Sequence, residues 1–354
     1  MKKLLERRES TMKVTIEDIA CLANVSKATV SRVLNDRKGV GEETRQKVKK
    51  IIDEFEYNPN LLARGISTSK TKTIGIIIPD ITNPFFPALV KSIEVELSAQ
   101  GYTIILCNTD ADIMREKRAI SSCISKRVDG IIFASSQIDS SEVKFMLKRY
   151  NMPCVYVDRG SIDPDADAWV FVDNEYAAFL ATNFLIQNGN RRVAYISGPP
   201  GISTSKERLS GYLAALRQNG IELDPNLIYT GDYTIRSGER AVEELLEKDS
   251  FSALFAANDV MAIGAMKALK KHGLSIPDDV EVIGFDNISI CELTEPPLTT
   301  IEQPLTEIGR LVARLILDIL AGKPVQDYSP RMQSRLILRE STKNRQPYGR
   351  GSNG

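Results

Sequence analysis

Polar side chains suited to binding a polyhydroxylated ligand follow several strand-like apolar runs of this chain. Asn83 follows the run TIGIIIPD. The others stand at the ends of their runs: Asp158 and Arg159 in PCVYVDR, Asn258 in ALFAAND and Asp286 in VEVIGFD. Planar carboxylate, amide and guanidinium groups bind vicinal hydroxyls in pairs because each presents two donors or acceptors in one plane. Taken singly, each Asp or Asn is better explained as the turn-forming residue at a strand end. As a set, they favour a binding site for a small sugar.

Further residues complete this candidate site. Arg208 lies in SKERLSGY and Gln303 in IEQP, while Phe85, Phe86 and Tyr233 offer flat apolar faces. Aromatic rings stack on the C–H faces of sugars, and a few polar groups then set the orientation of the ligand. The predicted effector-binding residues are Asn83, Phe85, Phe86, Asp158, Arg159, Arg208, Tyr233, Asn258, Asp286 and Gln303.

Catalytic and metal sites are disfavoured by composition. His272 is the only histidine, and no phosphate-binding loop, zincin motif or hydrolase elbow occurs. The five cysteines lack C-x-x-C spacing, which indicates a reducing compartment and no structural zinc. Asp158 and Asp286 could form a glycosidase pair, but each has an Arg or Asn neighbour that favours hydrogen bonding. We therefore predict a protein that is not an enzyme and that needs no cofactor beyond a monosaccharide effector.

The elements that must position these residues form an α/β pattern from Thr73 onward. Seven short apolar runs alternate with helical stretches, which is typical of doubly wound parallel sheets. The runs fall into two sets. Two such sheets would leave a crevice at the carboxyl ends of their strands, where open α/β sheets bind ligands. The fold predicted for this region is thus a two-lobed, doubly wound α/β domain.

The preceding segment, TIEDIACLANVSKATVSRVLN at residues 15–35, predicts two short helices joined by a tight turn. Apolar residues recur at i, i+3 and i+4 in both halves, so each helix has one inner face. Thr15 and Ser26 stand where a hydroxyl would cap each helix. Lys27, Ala28, Thr29 and Arg32 then fall on the outer face of the second helix. Periodicity alone cannot separate a DNA-recognition helix from an ordinary helical hairpin.

Two further features lie beside this segment. GVGEETRQKVKKIIDEFEY predicts a third helix with Val48, Ile51, Ile52 and Phe55 inward. Residues 1–72 hold 16 Lys and Arg against 10 Asp and Glu, a net charge of +6, whereas the rest of the chain holds 30 against 36. A basic end is the expected DNA-facing end, although an asymmetry of this size is modest evidence.

The pattern A-x-x-A-x-V-S-x-x-T-V-S-R-V-L-N from Ala20 to Asn35 resembles the helix-turn-helix of LacI-family transcription regulators. The resemblance continues to about residue 341. N-P-F-F at 83–86, D-R at 158–159, E-R at 207–208, N-D at 258–259, F-D at 285–286 and Gln303 are similar to pocket motifs of ribose-binding proteins and ribose repressors. Tyr233 departs from that pattern, where Phe is common, and its hydroxyl could shift preference toward another sugar.

This resemblance implies a hinge helix in residues 58–72 that orders on DNA. Paired hinges would push an apolar wedge into the minor groove, and the wedge here would be Ile66. The alternative is a flexible linker between domains. The DNA-binding residues implied by the family are Thr15, Ser26, Lys27, Ala28, Thr29, Arg32, Asn35, Tyr57, Ala63, Arg64 and Ile66.

At 354 residues the chain has room for two or three domains. We expect an all-α helix-turn-helix domain at 12–57, the hinge at 58–72 and the effector domain at 73–341. One lobe should comprise about 73–173 and 303–325, and the other about 174–302 and 326–341. Residues 1–11 and 342–354 are expected to be disordered, and Met12 is an alternative start to Met1.

The predicted protein is a regulator that binds double-stranded operator DNA and, as a repressor, releases it when a small sugar such as ribose binds. In the alternative, a corepressor or a phosphocarrier protein strengthens DNA binding, as in the catabolite-control branch of the family. We expect a homodimer, with a tetramer as the less favoured state, because the polar tail after residue 341 carries no heptads. No apolar run is long enough for a membrane span and no signal peptide is evident, so the expected location is cytoplasmic.

Overall fold

The computed structural model describes residues 14–34, 36–55, 57, 70–134, 141–157, 168–325 and 331–343. The chain divides into two compact units, one that ends at Thr71 and one that begins at Lys72. No helix among these described residues is long and apolar enough to cross a membrane.

The described residues of the first unit form three helices. They are α1 (Ile16–Ala23), α2 (Lys27–Leu34) and α3 (Glu42–Glu54). Their inner faces pack into one small cluster, formed by Ile19, Ala20, Ala23, Val30, Val33 and Val48. Asn24 ends α1 with φ +54°, and the N–H of Val25 then bonds the carbonyl of Ala20 at 3.0 Å. Asn tolerates this left-handed conformation, so the turn between α1 and α2 is short.

The first lobe of the second unit begins at Lys72. Its elements are β1 (Thr73–Ile78), α4 (Phe85–Ser98), β2 (Thr103–Asn108), α5 (Ile113–Ser125), β3 (Gly130–Phe133), α6 (Ser141–Arg149), β4 (Cys154–Val157) and β5 (Ala168–Val172). These strands pair in parallel in the order β5-β4-β3-β1-β2.

The second lobe follows directly. Its elements are α7 (Asn174–Gln187), β6 (Val193–Ser197), α8 (Ser203–Gln218), β7 (Ile228–Thr230), α9 (Ile235–Lys248), β8 (Ala253–Ala256), α10 (Asp259–Lys271), β9 (Glu281–Asp286) and β10 (Thr299–Glu302), with 3-10 turns at Pro225–Leu227 and Ser289–Glu292. The chain then forms α11 (Leu305–Leu320), β11 (Arg331–Met332) and β12 (Arg335–Ile337). Strand order in the second sheet is β12-β10-β9-β8-β6-β7, and only the β10–β12 pair among these described strands is antiparallel.

The chain passes between the lobes at three places. β5 leads into α7, β10 leads into α11, which packs on α4 of the first lobe, and β11 leads into β12. One predicted boundary needs correction. Residues 326–341 were assigned to the second lobe, but Arg331 and Met332 pair with Phe171 and Val172 of the first sheet. The crossover therefore lies between β11 and β12, because a two-residue strand completes the first sheet before the chain leaves it.

The central strands are buried on both faces because helices cover both sides of each sheet. Every residue of β3, β4, β8 and β9 is buried. That burial explains why these strands appear as continuous apolar runs in the sequence. The strands that the sequence patterns did not single out are β5, whose burial alternates, and the short β7, β10, β11 and β12.

Candidate functional site

Helix α2 presents a polar face to solvent. Lys27, Ala28 and Arg32 are exposed, whereas Val30 and Val33 on the opposite side are buried. Ser26 caps the helix, since its Oγ accepts a hydrogen bond from the Thr29 N–H at 3.1 Å. The predicted outer face is therefore accessible on a helix whose inner face is held by the core.

Two predicted DNA-binding residues, Thr15 and Lys27, also stabilise the helices locally. Thr15 Oγ1 accepts from the Asp18 N–H at 3.3 Å, and the Thr15 N–H donates to the Asp18 carboxylate at 2.9 Å, which completes a capping box. Lys27 forms an ion pair with Glu17, and the hydrogen bond from Lys27 lowers the pKa of that carboxyl. α1 and α2 are thus connected through their exposed side chains.

Of the remaining predicted DNA-binding residues, the structure describes Tyr57 alone. Tyr57 is half-buried and packs against the three-helix core, where burial raises the pKa of its phenol. Four others, Asn35, Ala63, Arg64 and Ile66, lie outside the described residues.

In the second unit, a cavity of about 450 Å³ lies between the lobes. Its walls come from segments that follow the carboxyl ends of strands in both sheets. Seven of the ten predicted effector-binding residues line it, namely Asn83, Phe85, Phe86, Arg208, Tyr233, Asn258 and Asp286. Asp158 and Arg159 lie outside the described residues.

Arg208 is the most constrained side chain of this cleft. It is 4% exposed, and its guanidinium lies 3.7 Å above the ring of Phe285. Nε donates to Asn174 Oδ1 at 2.9 Å and Nη1 donates to the Ala257 carbonyl at 2.6 Å, while Nη2 lies 3.8 Å from Asp286 Oδ1. Because Asn174 begins α7 and Ala257 follows β8, two elements of the second lobe fix the guanidinium plane.

Asp286 ends β9 with φ +115°, a conformation that L residues rarely adopt. Its carboxylate accepts a hydrogen bond of 2.8 Å from Nε2 of Gln303. Gln303 was expected to line the cleft. The structure instead places it behind Asp286, where it is 2% exposed and is absent from the cleft wall. The peptide after β10 turns toward the first lobe at this point, so Gln303 contacts the carboxylate rather than the cavity.

Asn258 and Tyr233 form an adjoining part of the wall. Asn258 Oδ1 caps α10 by accepting from the Met261 N–H at 2.9 Å, and its Nδ2 donates to the Tyr233 carbonyl at 3.3 Å. Tyr233 has φ +67°, and its buried hydroxyl lies beside the hydroxyls of Thr204 and Ser205. Burial raises the pKa of this phenol, so a neutral O–H faces the cleft region at neutral pH.

Gly198 makes room for that ring. A Cβ at Gly198 would lie 2.1 Å from Cζ of Tyr233, which is too close for any side chain. The glycine therefore permits the observed position of Tyr233.

The first lobe contributes the aromatic wall. Asn83 Oδ1 accepts from the Phe85 N–H at 3.1 Å, so Asn83 shapes the turn that begins α4. The Phe85 and Phe86 rings meet edge to face, with centroids 5.2 Å apart and an interplanar angle of 80°. The first lobe thus contributes two aromatic rings to the wall, and the second lobe contributes Arg208 and Asp286.

Sequence reasoning missed several wall residues. Asp80 and Asp110 follow β1 and β2, so the same strand-end rule would have found them. Thr204 and Asp232 also line the cleft, and no sequence signal distinguishes them. Asn174, the partner of Arg208, was missed because its contact spans 34 positions. No group of three or more His, Cys, Asp or Glu suited to a metal occurs among the residues that the structure describes.

Comparisons with known proteins agree with this geometry. Residues 15–60 match the family described as bacterial regulatory proteins, lacI family, and residues 71–339 match periplasmic binding proteins and sugar binding domain of LacI family. The HTH-type transcriptional repressor CytR of Escherichia coli K12 is 36% identical over 343 residues, covering 96% of this chain and 99% of that protein.

Two other proteins match this chain over a similar share of its length. The ribose operon repressor of Halalkalibacterium halodurans is 36% identical over 330 residues, covering 93% of this chain and 97% of that protein. A crystal structure of the Lac repressor dimer bound to operator and the anti-inducer ONPF superposes with a TM-score of 0.84 at 26% identity, covering 94% of this chain and 99% of that one.

Proposed function

Because the chain belongs to the LacI family of DNA-binding transcriptional repressors with a ligand-binding domain, we propose that it leaves its operator when a small sugar occupies the cleft. Ribose is the first candidate, since one relative is a ribose operon repressor. Family membership leaves three points open: the effector, the residues that bind it, and whether the effector weakens or strengthens operator binding.

One observation carries the sugar proposal. Arg208 and Asp286 lie side by side in the cleft, each at least 95% buried, with Arg208 stacked on Phe285. A fixed guanidinium beside a carboxylate offers donors and acceptors in one region, which suits a pair of vicinal hydroxyls. Phe85 and Phe86 line the same cavity. A ligand with hydroxyls on its edge and C–H groups on its faces would satisfy both walls.

The buried hydroxyl of Tyr233 supports the same class of ligand. It lies beside the hydroxyl of Thr204, which also lines the cleft, so a ligand hydroxyl would find a donor and an acceptor there. The same hydroxyl could bind a hydroxyl of another pentose or of a hexose, so these sugars are tested alongside ribose.

For DNA, we propose that Lys27, Ala28, Thr29 and Arg32 of α2 contact base edges in the major groove. The exposure of Lys27, Ala28 and Arg32 and the capped, core-supported helix that carries all four residues support this assignment. We further propose a homodimer, because palindromic operators require two copies of the helix at a fixed spacing. The matched Lac repressor structure is a dimer bound to operator.

Sugar and operator would act through a shared equilibrium between lobe arrangements. Each ligand favours one arrangement, so each weakens binding of the other by the same factor. The cleft walls come from both lobes, and a ligand that contacts Phe86 and Arg208 together would favour the closed arrangement.

The test uses an operator duplex selected from a random-sequence library, with affinity followed by fluorescence anisotropy. Titration with ribose, other pentoses and hexoses should release the operator for at least one sugar. Arg208→Ala should bind the operator as the wild type does, yet respond to no sugar. Arg217→Ala is a matched control, because Arg217 lies on the same helix and is exposed.

The outcomes separate the proposal from its alternative. Tighter operator binding in the presence of a sugar or a phosphocarrier protein would favour the corepressor mechanism. If no sugar changes either the operator affinity or the thermal midpoint, the sugar assignment is wrong. Loss of both operator affinity and folded circular dichroism in Arg208→Ala would show misfolding, and Arg208→Lys would then replace it as the test variant.

A further inference from the structure

Two cysteines of the first lobe share one side of its sheet. Cys107 lies on β2 and is half-buried, whereas Cys123 lies on α5 and is fully buried, and both are free thiols. Ile77 pairs in register with Cys107, and Ile77 belongs to the same apolar cluster as Cys123. Cys107 packs against that cluster. The two thiols therefore lie on the same face of the sheet, between its edge strand and the helix that covers it.

Gly75 on β1 has no side chain and so leaves space for the Cys123 thiol against the sheet. A Cβ at Gly75 would lie 2.8 Å from Sγ of Cys123, a contact that real Cβ atoms do not make. Gly75 pairs with Ile105, two residues before Cys107 on the neighbouring strand. A side chain at position 75 would displace the Cys123 sulfur from its present place against the sheet.

The surroundings also favour reactivity at one of the two thiols. A hydrogen bond from Cys123 lowers the pKa of Cys107 to about 7, with a smaller contribution from the positive charge of Lys126. The same interaction, together with burial, raises the pKa of Cys123. Near neutral pH, Cys107 is thus the nucleophilic thiolate and Cys123 is the neighbouring thiol.

We propose that Cys107 and Cys123 form a peroxide-responsive dithiol that closes to an intramolecular disulfide. The Cys107 thiolate attacks a peroxide oxygen, the O–O bond breaks, and hydroxide or alkoxide leaves with sulfenic acid remaining on Cys107. Cys123 loses its proton and attacks that sulfur, an S–S bond forms, and water departs. In sum, two thiols are oxidised, and one hydroperoxide is reduced to water and an alcohol, or to two waters for hydrogen peroxide.

The bridge would close a loop that carries part of the cleft wall. Asp110 and Ala111 line the cavity and lie between β2 and α5. Oxidation would therefore tie this turn to both of its flanking elements. The chemistry requires neither sugar nor DNA, so it can be tested independently of the proposed function.

Peptide mapping tests the bridge directly. The full-length reduced protein is treated with hydrogen peroxide, its remaining thiols are alkylated, and it is digested with trypsin without reduction. Cleavage after Lys and Arg places Cys107 in peptide 92–115 and Cys123 in peptide 119–126. The expected product is these two peptides joined by a disulfide, and dithiothreitol should restore two thiols that can be alkylated.

Variants distinguish the bridge from unspecific oxidation. Cys107→Ser and Cys123→Ser should each abolish the joined peptides, whereas Cys21→Ser, which removes an exposed thiol in the other unit, should leave them unchanged. Gly75→Ala should slow the bridging at least tenfold while the protein keeps a folded circular dichroism spectrum. Oxidation of Cys107 to sulfinic acid without joined peptides, or bridging at the wild-type rate in folded Gly75→Ala protein, would overturn the proposal.

Discussion

Nε2 of Gln303 donates a hydrogen bond of 2.8 Å to Oδ1 of Asp286, and both side chains are at least 95% buried. Asp286 ends β9 inside the cleft, whereas Gln303 lies on the crossover that leads from β10 to α11. The orientation of a cleft carboxylate is therefore connected to a segment that joins the two lobes.

Replacing Gln303 should weaken effector binding although the residue lies outside the cleft wall. Gln303→Leu removes the donor to Asp286, and a hydrogen bond to a charged group contributes about 1.5–3 kcal/mol, so we expect sugar affinity to fall at least tenfold. Isothermal titration calorimetry measures the change. Gln333→Leu, at an exposed residue of another crossover, should have no effect. Equal affinity in both variants would exclude a positioning role for Gln303.

Gly198→Ala should displace Tyr233 and weaken sugar binding. The new methyl carbon would lie 2.1 Å from Cζ of Tyr233. The ring must therefore move, either into the cleft or away from it. Overpacking of this kind costs about 1–3 kcal/mol, and we expect a similar loss in binding free energy. Gly201→Ala is the matched control, because a Cβ there meets no atom within 4 Å. If the two variants bind sugar equally well, Tyr233 does not contribute to the site.

Arg32→Ala should lower operator affinity by about 1–3 kcal/mol and relax the sequence preference at one position of each half-site. Arg32 is exposed on the outer face of α2, so the substitution leaves the helix core intact. Selection from a randomised operator library, followed by anisotropy titrations, measures both effects. Lys50→Ala on α3 removes an equal charge from another exposed position and should change affinity without changing preference. Identical behaviour across scrambled sites would show that α2 is not the reading helix.

Asp259 should make the second unit more stable as the pH falls from about 6 toward 4. This carboxyl is fully buried, and burial raises its pKa from 3.8 to about 6 despite hydrogen bonds from Thr300 and the Ile288 N–H. Between pH 3.8 and about 6, the Asp259 carboxyl is protonated in the folded state and ionised in the unfolded state. Lowering the pH through this range therefore stabilises the folded protein by up to about 3 kcal/mol.

Urea unfolding of wild type and Asp259→Asn checks this effect. The free energy of unfolding of the wild type should rise relative to the variant as the pH falls from 6 to 4. Asp278→Asn, at an exposed carboxyl, should show a constant difference over that range. A constant difference for Asp259→Asn as well would mean that its carboxyl titrates normally.

Much of the local structure followed from the sequence because it depends on near neighbours. The caps at Thr15 and Ser26, the inward residues of three helices and the apolar runs of the central strands depend on contacts within a few residues or on burial of a whole strand. Strand-end placement likewise predicted that Asn83, Asn258 and Asp286 would line one cleft, because parallel strands end at a common edge.

Other features depended on contacts between distant positions. Arg208 meets Asn174, Ala257 and Asp286, and Gln303 meets Asp286, across separations of 17 to 78 residues along the chain. The sequence by itself determined a helix-turn-helix unit, two α/β lobes and the kinds of side chain at their strand ends. Only the tertiary structure decided that Gln303 stands behind Asp286 rather than in the cleft and that β11 completes the first sheet, because both depend on where the crossovers pass between the lobes.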